Sequence, residues 1–489
     1  RKHDRQISIY NTMSFKMRIF IAFLLSVISL KANEIESFIS LLNSNADSLI
    51  KMKAIDSFMI VNKTFPISMD TNCYFLFRGK ADRIIVTGDH TQWSQKGDTM
   101  KRFPGTDLHL VKKSFPADAR LDYKLINGTN WMLDPRNPLT CPGGFGPNSE
   151  LRMPAYPNQP ELIGNTDIPK GTIFDTTFTS KALNNSRAIK VYLPPDYSPT
   201  VQYPVILFHD GIDYVNLAKA PAIIDRLIAM NRIRPIIAVF VPAVNRTPEY
   251  AGNSINAFSS FINEEVMLWV DTRFSTSREA IWRAVAGASN GGNIALYCAM
   301  KSPHIFGKVA AQSSNVINSI MTGYDTDPKP IQTYIDIGAY DIPQLIPLVK
   351  QFRQVLEKRS YWYMYKQVNE GHSWGNWRAN MNEYLEFFFP PLPSSVKSNQ
   401  ESLPLIMNLH YMLDSSLIQL DFDLSTPVKG LTIMLMDIQG KILTESLLTA
   451  RERGQQHETL LLGSQISSGA YFLQFRTDKT MFTYPVTFK

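Results

Sequence analysis

Cysteine is scarce in this chain: Cys73, Cys141 and Cys298 are the only three in 489 residues. So few thiols exclude a disulfide-stapled scaffold and a Cys-rich zinc module. Charged residues are only 19% of the chain. No apolar run reaches the roughly eighteen residues that a membrane-spanning helix needs. Phosphate-binding loop, dinucleotide fingerprint and HExxH motif are all missing, so the sequence implies no cofactor and no metal. What is present is 44% hydrophobic and 11% aromatic residues. That is the composition of a folded chain rather than a disordered one, and the length suits about two to four domains.

The formal charge of +7 would suggest nucleic acid or an anionic membrane as a partner if it were evenly spread. It is not. Arg1, Lys2, Arg5, Lys16, Arg18 and Lys31 face only Asp4 within residues 1–32, and the remainder carries 44 basic and 42 acidic residues. A near-neutral body removes the argument for nucleic acid. Lys16 and Arg18 precede a twelve-residue apolar run, Ile19–Leu30. That run is too short to span a bilayer, and it has the length of a secretory h-region rather than of a first core helix. Ser26, Ser29 and Ala32 offer cleavage points, and Met13 or Met17 fits a start, with residues 1–12 as an upstream extension. Residues 1–32 are expected to be a leader and signal peptide, the protein to be secreted or surface-exposed, and no segment to be stably transmembrane.

Beyond the leader, composition divides the chain. Residues 34–54 suit a short amphipathic helix. Residues 55–150 alternate apolar and polar positions in short runs (Cys73–Arg78, Arg83–Thr87, Leu121–Ile126), which predicts an all-β unit. Pro154, Pro157, Pro160 and Pro169 mark residues 151–170 as a linker. From 171 to 389, apolar strands alternate with helices, the rhythm of an α/β sheet with crossover connections. A second linker, 390–402, opens with Pro390-Pro391-Leu392-Pro393, and residues 403–489 return to strands such as Leu431–Asp437 and Tyr471–Arg476.

The chemistry-bearing motif is Gly287-Ala288-Ser289-Asn290-Gly291, a G-x-S-x-G after the apolar run Ala284-Val285-Ala286 and before a helical stretch, Gly292–Met300. A strand-to-helix turn this tight exposes the serine hydroxyl, and the flanking glycines avoid collisions. A serine needs a base. Of the eight histidines, His3 lies in the leader, and His90, His109, His410 and His457 lie in the flanking β units. His304 reads as an exposed helix end, and His209 precedes the serine. His372 follows the strand Tyr361–Gln367 beyond the serine, where the α/β order places the base. The orienting acid belongs between them at a strand end. Asp341 leaves the strand Thr333–Ile337, whereas Asp336 lies inside it and Asp325 and Asp327 come too early. Val205–Phe208 runs into His209-Asp210-Gly211-Ile212, a loop whose backbone N–H can join that of Asn290 in an oxyanion hole; the plainer reading is an Asp-Gly turn.

These residues, with Asn245–Tyr250, Phe261–Asp271, Pro303–Gly307, Ala311–Ser314 and Glu370–Arg378, closely resemble the esterase branch of α/β-hydrolases that contains enterochelin and feruloyl esterases. The resemblance covers about 171 to 389. It implies a serine carboxylic-ester hydrolase with Ser289, Asp341 and His372 as catalytic residues and Ile212 and Asn290 as oxyanion donors. Asn290 stands where Met is usual and Leu268 where Pro is common; neither removes a catalytic group. Arg246, Trp374 and Trp377 are candidates for the pocket rim, with packing as their ordinary role.

The first β unit resembles the early-set, immunoglobulin-like domain that precedes many such esterases, through Gly88–Trp93, Leu121–Lys124, Leu133–Asn137 and Asn148–Leu151. Trp93 and Trp131 are then either sugar platforms or, more commonly, core and interface residues. Cys73 and Cys141 are candidates for pairing after export, and Cys298 reads as a buried small hydrophobe. The last unit is similar to type IX secretion sorting domains of Bacteroidetes, through Met436–Lys441 and Ser467–Leu473, although the usual early Asn-Pro is missing; a small β-sandwich binding module is the alternative. The expected fold class is thus an α/β-hydrolase domain flanked by an N-terminal immunoglobulin-like β-sandwich and a small C-terminal β-sandwich. The expected partners are an ester substrate, carried on polysaccharide or free, and the secretion machinery. Feruloyl or acetyl esters of plant polysaccharide are the favoured substrates. A siderophore trilactone is the alternative, with an acyltransferase or a non-catalytic glycan binder as other classes.

Overall fold

The apolar runs between 171 and 389 form one eight-stranded sheet. In chain order its strands are β1 (Thr172–Ser180), β2 (Asn185–Leu193), β3 (Val205–His209), β4 (Ile237–Val241), β5 (Arg283–Ala288), β6 (Lys308–Gln312), β7 (Gln332–Tyr340) and β8 (Tyr363–Gly371). Their spatial order is β1-β2-β4-β3-β5-β6-β7-β8. β1 and β2 pair antiparallel, β2 meets β4 antiparallel, and β4 through β8 pair parallel. The structure is a computed structural model and describes residues 33–159, 161–162, 167–391, 406–414, 417–424, 426–437, 442–462, 469–477 and 481–488. The expected signal peptide, most of the second linker, the turn Gln439-Gly440-Lys441 and Ser467-Ser468 lie outside the described residues.

β3 through β6 are buried along their whole length, which is why they read as continuous apolar runs rather than alternating ones. Alternate residues feed opposite faces. Val205, Leu207, Val239 and Val285 join the core under the helices Asn290–Lys301 and Leu345–Lys358. Ile206, Phe208, Phe240 and Ala286 join the core under Ala220–Ala229 and Met381–Phe388. Both faces are covered by crossover helices, so the loops at the carboxyl ends of the parallel strands are where a ligand crevice can form.

The expected helix over 34–54 is two helices, 33–43 and Ser48–Val61. Asn43, Ser44, Asn45 and Asp47 break it: these side chains compete for backbone groups, and Asp47 caps the second helix by accepting from the Leu49 N–H at 2.7 Å. The helices cover one face of a four-stranded sheet through Phe38, Leu42, Ile55, Phe58, Tyr74 and Leu76. The opposite face meets a second sheet through Phe75, Val86, Leu121 and Tyr123. The expected strands appear as Asn72–Arg78, Ile84–Gly88 and Arg120–Asn127. Cys73, Cys141 and Cys298 are all free and buried, so the pairing considered for Cys73 and Cys141 does not occur.

Two findings revise the domain plan. The first β module and the hydrolase sheet belong to one compact unit that ends at Pro390. Described residues of the segment expected to be a linker are docked: Asn148–Arg152 is a strand, Gln159 Nε2 donates to the Ala379 carbonyl at 3.0 Å, and Arg232 pairs with Glu161 at 2.7 Å. The second unit, 391–489, has a three-stranded and a four-stranded antiparallel sheet. They share a core that includes Leu420, Phe422, Ile433, Leu435, Leu473 and Phe475. No helix among the described residues is long and apolar enough to cross a membrane.

Candidate active site

Four strand ends carry the residues of interest. β5 stops at Ala288, and Ser289 follows with φ 56° and ψ −125°, a strained conformation for a residue with a side chain. The turn is tight because β5 passes straight into the helix Asn290–Lys301: a Cβ on Gly287 would lie 2.2 Å from the Gly291 carbonyl oxygen. Ser289 remains half-buried rather than enclosed. As the first helical residue, Asn290 has a backbone N–H with no intrahelical acceptor.

β7 is longer than expected and runs to Tyr340, so Asp341 directly follows it; β8 runs to Gly371, so His372 directly follows that. The two strands are parallel neighbours, and their ends bring His372 Nδ1 within 2.7 Å of Asp341 Oδ1. The Asp341 side chain is fully buried, whereas that of His372 is 20% exposed. A ring held through Nδ1 to a buried carboxylate presents Nε2 as its free, basic nitrogen.

The carboxylate is held on its other side as well. Asp341 Oδ2 accepts from Ser313 Oγ at 2.6 Å, and Oδ1 also accepts from the Ile342 N–H at 2.7 Å. Ser313 Oγ in turn accepts from Trp377 Nε1 at 3.1 Å, and the Trp377 ring stands edge-on to His372 with centroids 4.9 Å apart. Ser313 was given no role by sequence reasoning; its sequence signals are that it follows the adjacent buried strand β6 and lies in Ala311–Ser314, one of the stretches that carry the esterase resemblance.

The rivals fall away for physical reasons. Asp336 lies within β7, takes hydrogen bonds from Gln312, the Ser313 N–H and Tyr334, and burial pushes its carboxyl up to about 6. His209 is wholly buried against Tyr250 and Phe258, neither ring nitrogen has a partner among the described residues, and burial pushes it down to about 3. His304 is exposed beyond the helix Asn290–Lys301. Asp325 sits in the helix Asn318–Thr326 and pairs with Arg359.

Past β3, Asp210 adopts φ 53° and the helix Gly211–Asn216 begins, which places Ile212 in a first turn where its N–H also lacks an intrahelical acceptor. Arg246 joins this loop to the serine turn: Nε and Nη2 donate to the Asp210 carboxylate at 2.9 and 2.7 Å, and Nη2 donates to the Ala288 carbonyl at 3.3 Å. Its guanidinium is anchored on Asp210, and its side chain remains 42% exposed beside the serine turn. Trp374 and Trp377 depart from the rim placement: both are buried, Trp374 against Tyr214 and Trp377, because their helix packs onto the sheet. Trp93 and Trp131 stack at 6.5 Å, and Trp93 Nε1 donates to Asp89 at 3.1 Å. The His/Cys/Asp/Glu group Asp122, Cys141 and Glu150 is close enough to suggest a metal. The Arg120 guanidinium already lies 2.7 Å from both carboxylates and supplies the cation there.

Residues 180–388 match the family model described as "Putative esterase". The chain is 30% identical over 208 residues to an endo-1,4-beta-xylanase/feruloyl esterase of Xylanibacter ruminicola, covering 40% of this chain and 28% of that protein. It is 24% identical over 357 residues to an iron(III) enterobactin esterase of Escherichia coli, covering 63% of this chain and 86% of the other. Among solved structures, the enterobactin esterase of Shigella flexneri superposes with a TM-score of 0.57 at 20% identity, over 65% of this chain and 92% of that one. That likeness concerns the fold.

Proposed function

We propose that this carboxylic-ester hydrolase, whose residues 180–388 match the esterase family, uses Ser289, Asp341 and His372 as its catalytic triad. The observation that carries the reading is the 2.7 Å contact between His372 Nδ1 and buried Asp341 at the ends of β7 and β8, in the same sheet as β5, whose end carries the strained turn of Ser289 with β6 between. His372 Nε2 takes the Ser289 proton as Oγ attacks the ester carbonyl. The backbone N–H groups of Ile212 and Asn290 receive the oxyanion, each contributing about 100- to 1000-fold in rate. His372 then protonates the leaving alcohol. Water, deprotonated by the same imidazole, releases the acid from the acyl-enzyme. No step in this sequence calls for a metal or cofactor.

The substrates we propose are feruloyl or acetyl esters of plant polysaccharide, acted on outside the cytoplasm after export through the signal expected in residues 1–32. The identity to the xylanase/feruloyl esterase and the presence of two flanking β units support a polymer-linked ester. A catecholate trilactone is the second reading: similarity to the iron(III) enterobactin esterase spans 63% of the chain, more than the hydrolase sheet alone. Methyl ferulate, acetylated xylan and a catecholate trilactone, compared by kcat/KM, test the choice. Preference for either of the first two supports the polysaccharide reading, and preference for the trilactone replaces it. Adding an acceptor alcohol and analysing products separates hydrolysis from acyl transfer.

A further inference from the structure

β8 is the edge strand of the hydrolase sheet, with β7 on one side and, among the described residues, no further strand on the other. The loop that carries His372 leaves this edge, and the N-terminal part of the unit holds the strand end and the loop on both sides of His372. Asn369 Nδ2 donates to Asp118 at 2.8 Å, and Tyr156 from the docked segment donates to Glu370 Oε1 at 3.3 Å. Arg120, only 1% exposed, reaches across with Nη1 to Ser373 Oγ at 3.3 Å and lies 3.6 Å from Glu370 Oε2. Its Nη2 is fixed by Asp122 and Glu150, both at 2.7 Å. The loop is shaped for this intrusion. A Cβ on Gly371 would lie 2.0 Å from the Asp89 carboxyl carbon, and one on Gly375 would lie 1.8 Å from Arg120 Nη2. The Asp341 loop is held from the same module: exposed Gln92 donates through Nε2 to the carbonyls of Tyr340 at 3.3 Å and Asp341 at 3.2 Å.

We propose that the N-terminal β module is a working part of the esterase centre, with Arg120 and Gln92 as positioning residues that fix the loops of His372 and Asp341. This rests on the triad reading above. Neither residue touches the reacting atoms; each acts through a catalytic loop that the hydrolase sheet supports on one side only. A misplacement of about 1 Å in such a loop costs on the order of 100-fold in rate, and one buried guanidinium crossing between the two parts fixes both ends of the contact with directional hydrogen bonds.

The test uses the full chain, p-nitrophenyl acetate as a small substrate and a fluorophosphonate as a probe of the nucleophile and base alone. Gln92→Ala and Gln92→Glu alter a surface side chain, so their melting points are expected to match the parent. Their kcat and phosphonylation rate are expected to fall about tenfold, with KM changed less than about twofold. Arg120→Lys keeps the charge but loses the fork, and a loss of about 100-fold in the same two rates is expected. If Arg120→Lys melts below the assay temperature, the two Gln92 variants decide alone. Parent-like kcat and phosphonylation in both Gln92 variants, or a loss confined to KM, overturns the proposal. Ser289→Ala run alongside separates the two layers: turnover persisting in that variant sinks the triad reading itself, whatever Gln92 does.

Discussion

Ser313→Ala removes one hydroxyl and strands two buried partners. Ser313 has no exposed surface, donates to Asp341 Oδ2 at 2.6 Å and accepts from Trp377 Nε1 at 3.1 Å. A hydrogen bond to a charged carboxylate contributes about 1.5–3 kcal/mol, and leaving a buried indole N–H unpaired costs about 1–3 kcal/mol. The sum, about 2.5–6 kcal/mol, corresponds to a fall in Tm of roughly 3–8 °C for a unit of this size. The catalytic consequence is separate. With Oδ2 released, the carboxylate is held only through Oδ1, by His372 and the Ile342 N–H, and its tilt moves the imidazole. A loss of about tenfold or more in kcat is expected, with KM unchanged because Ser313 meets no substrate. Thermal melting by circular dichroism and hydrolysis of p-nitrophenyl acetate well below the melting point measure the two effects. A variant that melts with the parent and retains its kcat refutes the account of how Asp341 is held.

Three further outcomes follow from the same structure. Gly287→Ala drives a methyl into the Gly291 carbonyl at 2.2 Å, so fluorophosphonate labelling of Ser289 and esterase activity are both expected to collapse; normal labelling would show that the turn has room to spare. Burial, opposed by the Arg120 charge and the Tyr156 hydrogen bond and reinforced by Glu150 and Asp122, pushes the Glu370 carboxyl up to about 7. Its protonated form therefore contributes stability that is complete below about pH 4.5 and lost as pH rises through about 7, on the order of 3 kcal/mol. Glu370→Gln should flatten the melting-point profile between pH 5 and 8, and an unchanged slope contradicts the assignment. Cys73, Cys141 and Cys298 are free and buried, so reductant should leave the melting point unchanged, and a thiol reagent should titrate three groups only after denaturation.

Legibility in the sequence followed the range of the interaction. The strand-end places of Ser289, Asp341 and His372 were readable because each follows a strand whose apolar run is visible locally, and because chain order fixes which strand comes next. The strand ends themselves were less visible: β7 and β8 each run past their apolar stretch into Gly338-Ala339-Tyr340 and Val368–Gly371, where pairing continues without an alternating pattern. Ser313 and Arg120 were not readable, since their partners lie 28 and 253 residues away and a lone serine or arginine carries no local signature. The same reason explains the docked 151–170 segment. Its prolines and polar residues resemble a tether, but Gln159 and Glu161 find partners on the hydrolase that no local pattern reveals. Trp374 and Trp377 misled in the opposite direction: two tryptophans beside the histidine proposed as base suggest a pocket wall, yet their helix turns both rings into the core.

The central claim is that a single activated serine, Ser289, carries the chemistry. Peptide mapping by mass spectrometry after fluorophosphonate treatment of the folded full chain measures this directly. One adduct on the peptide containing Ser289, absent in Ser289→Ala and strongly slowed in His372→Ala, is the predicted result. Ester turnover that continues with Ser289 unlabelled, or an adduct on a different serine, would contradict it.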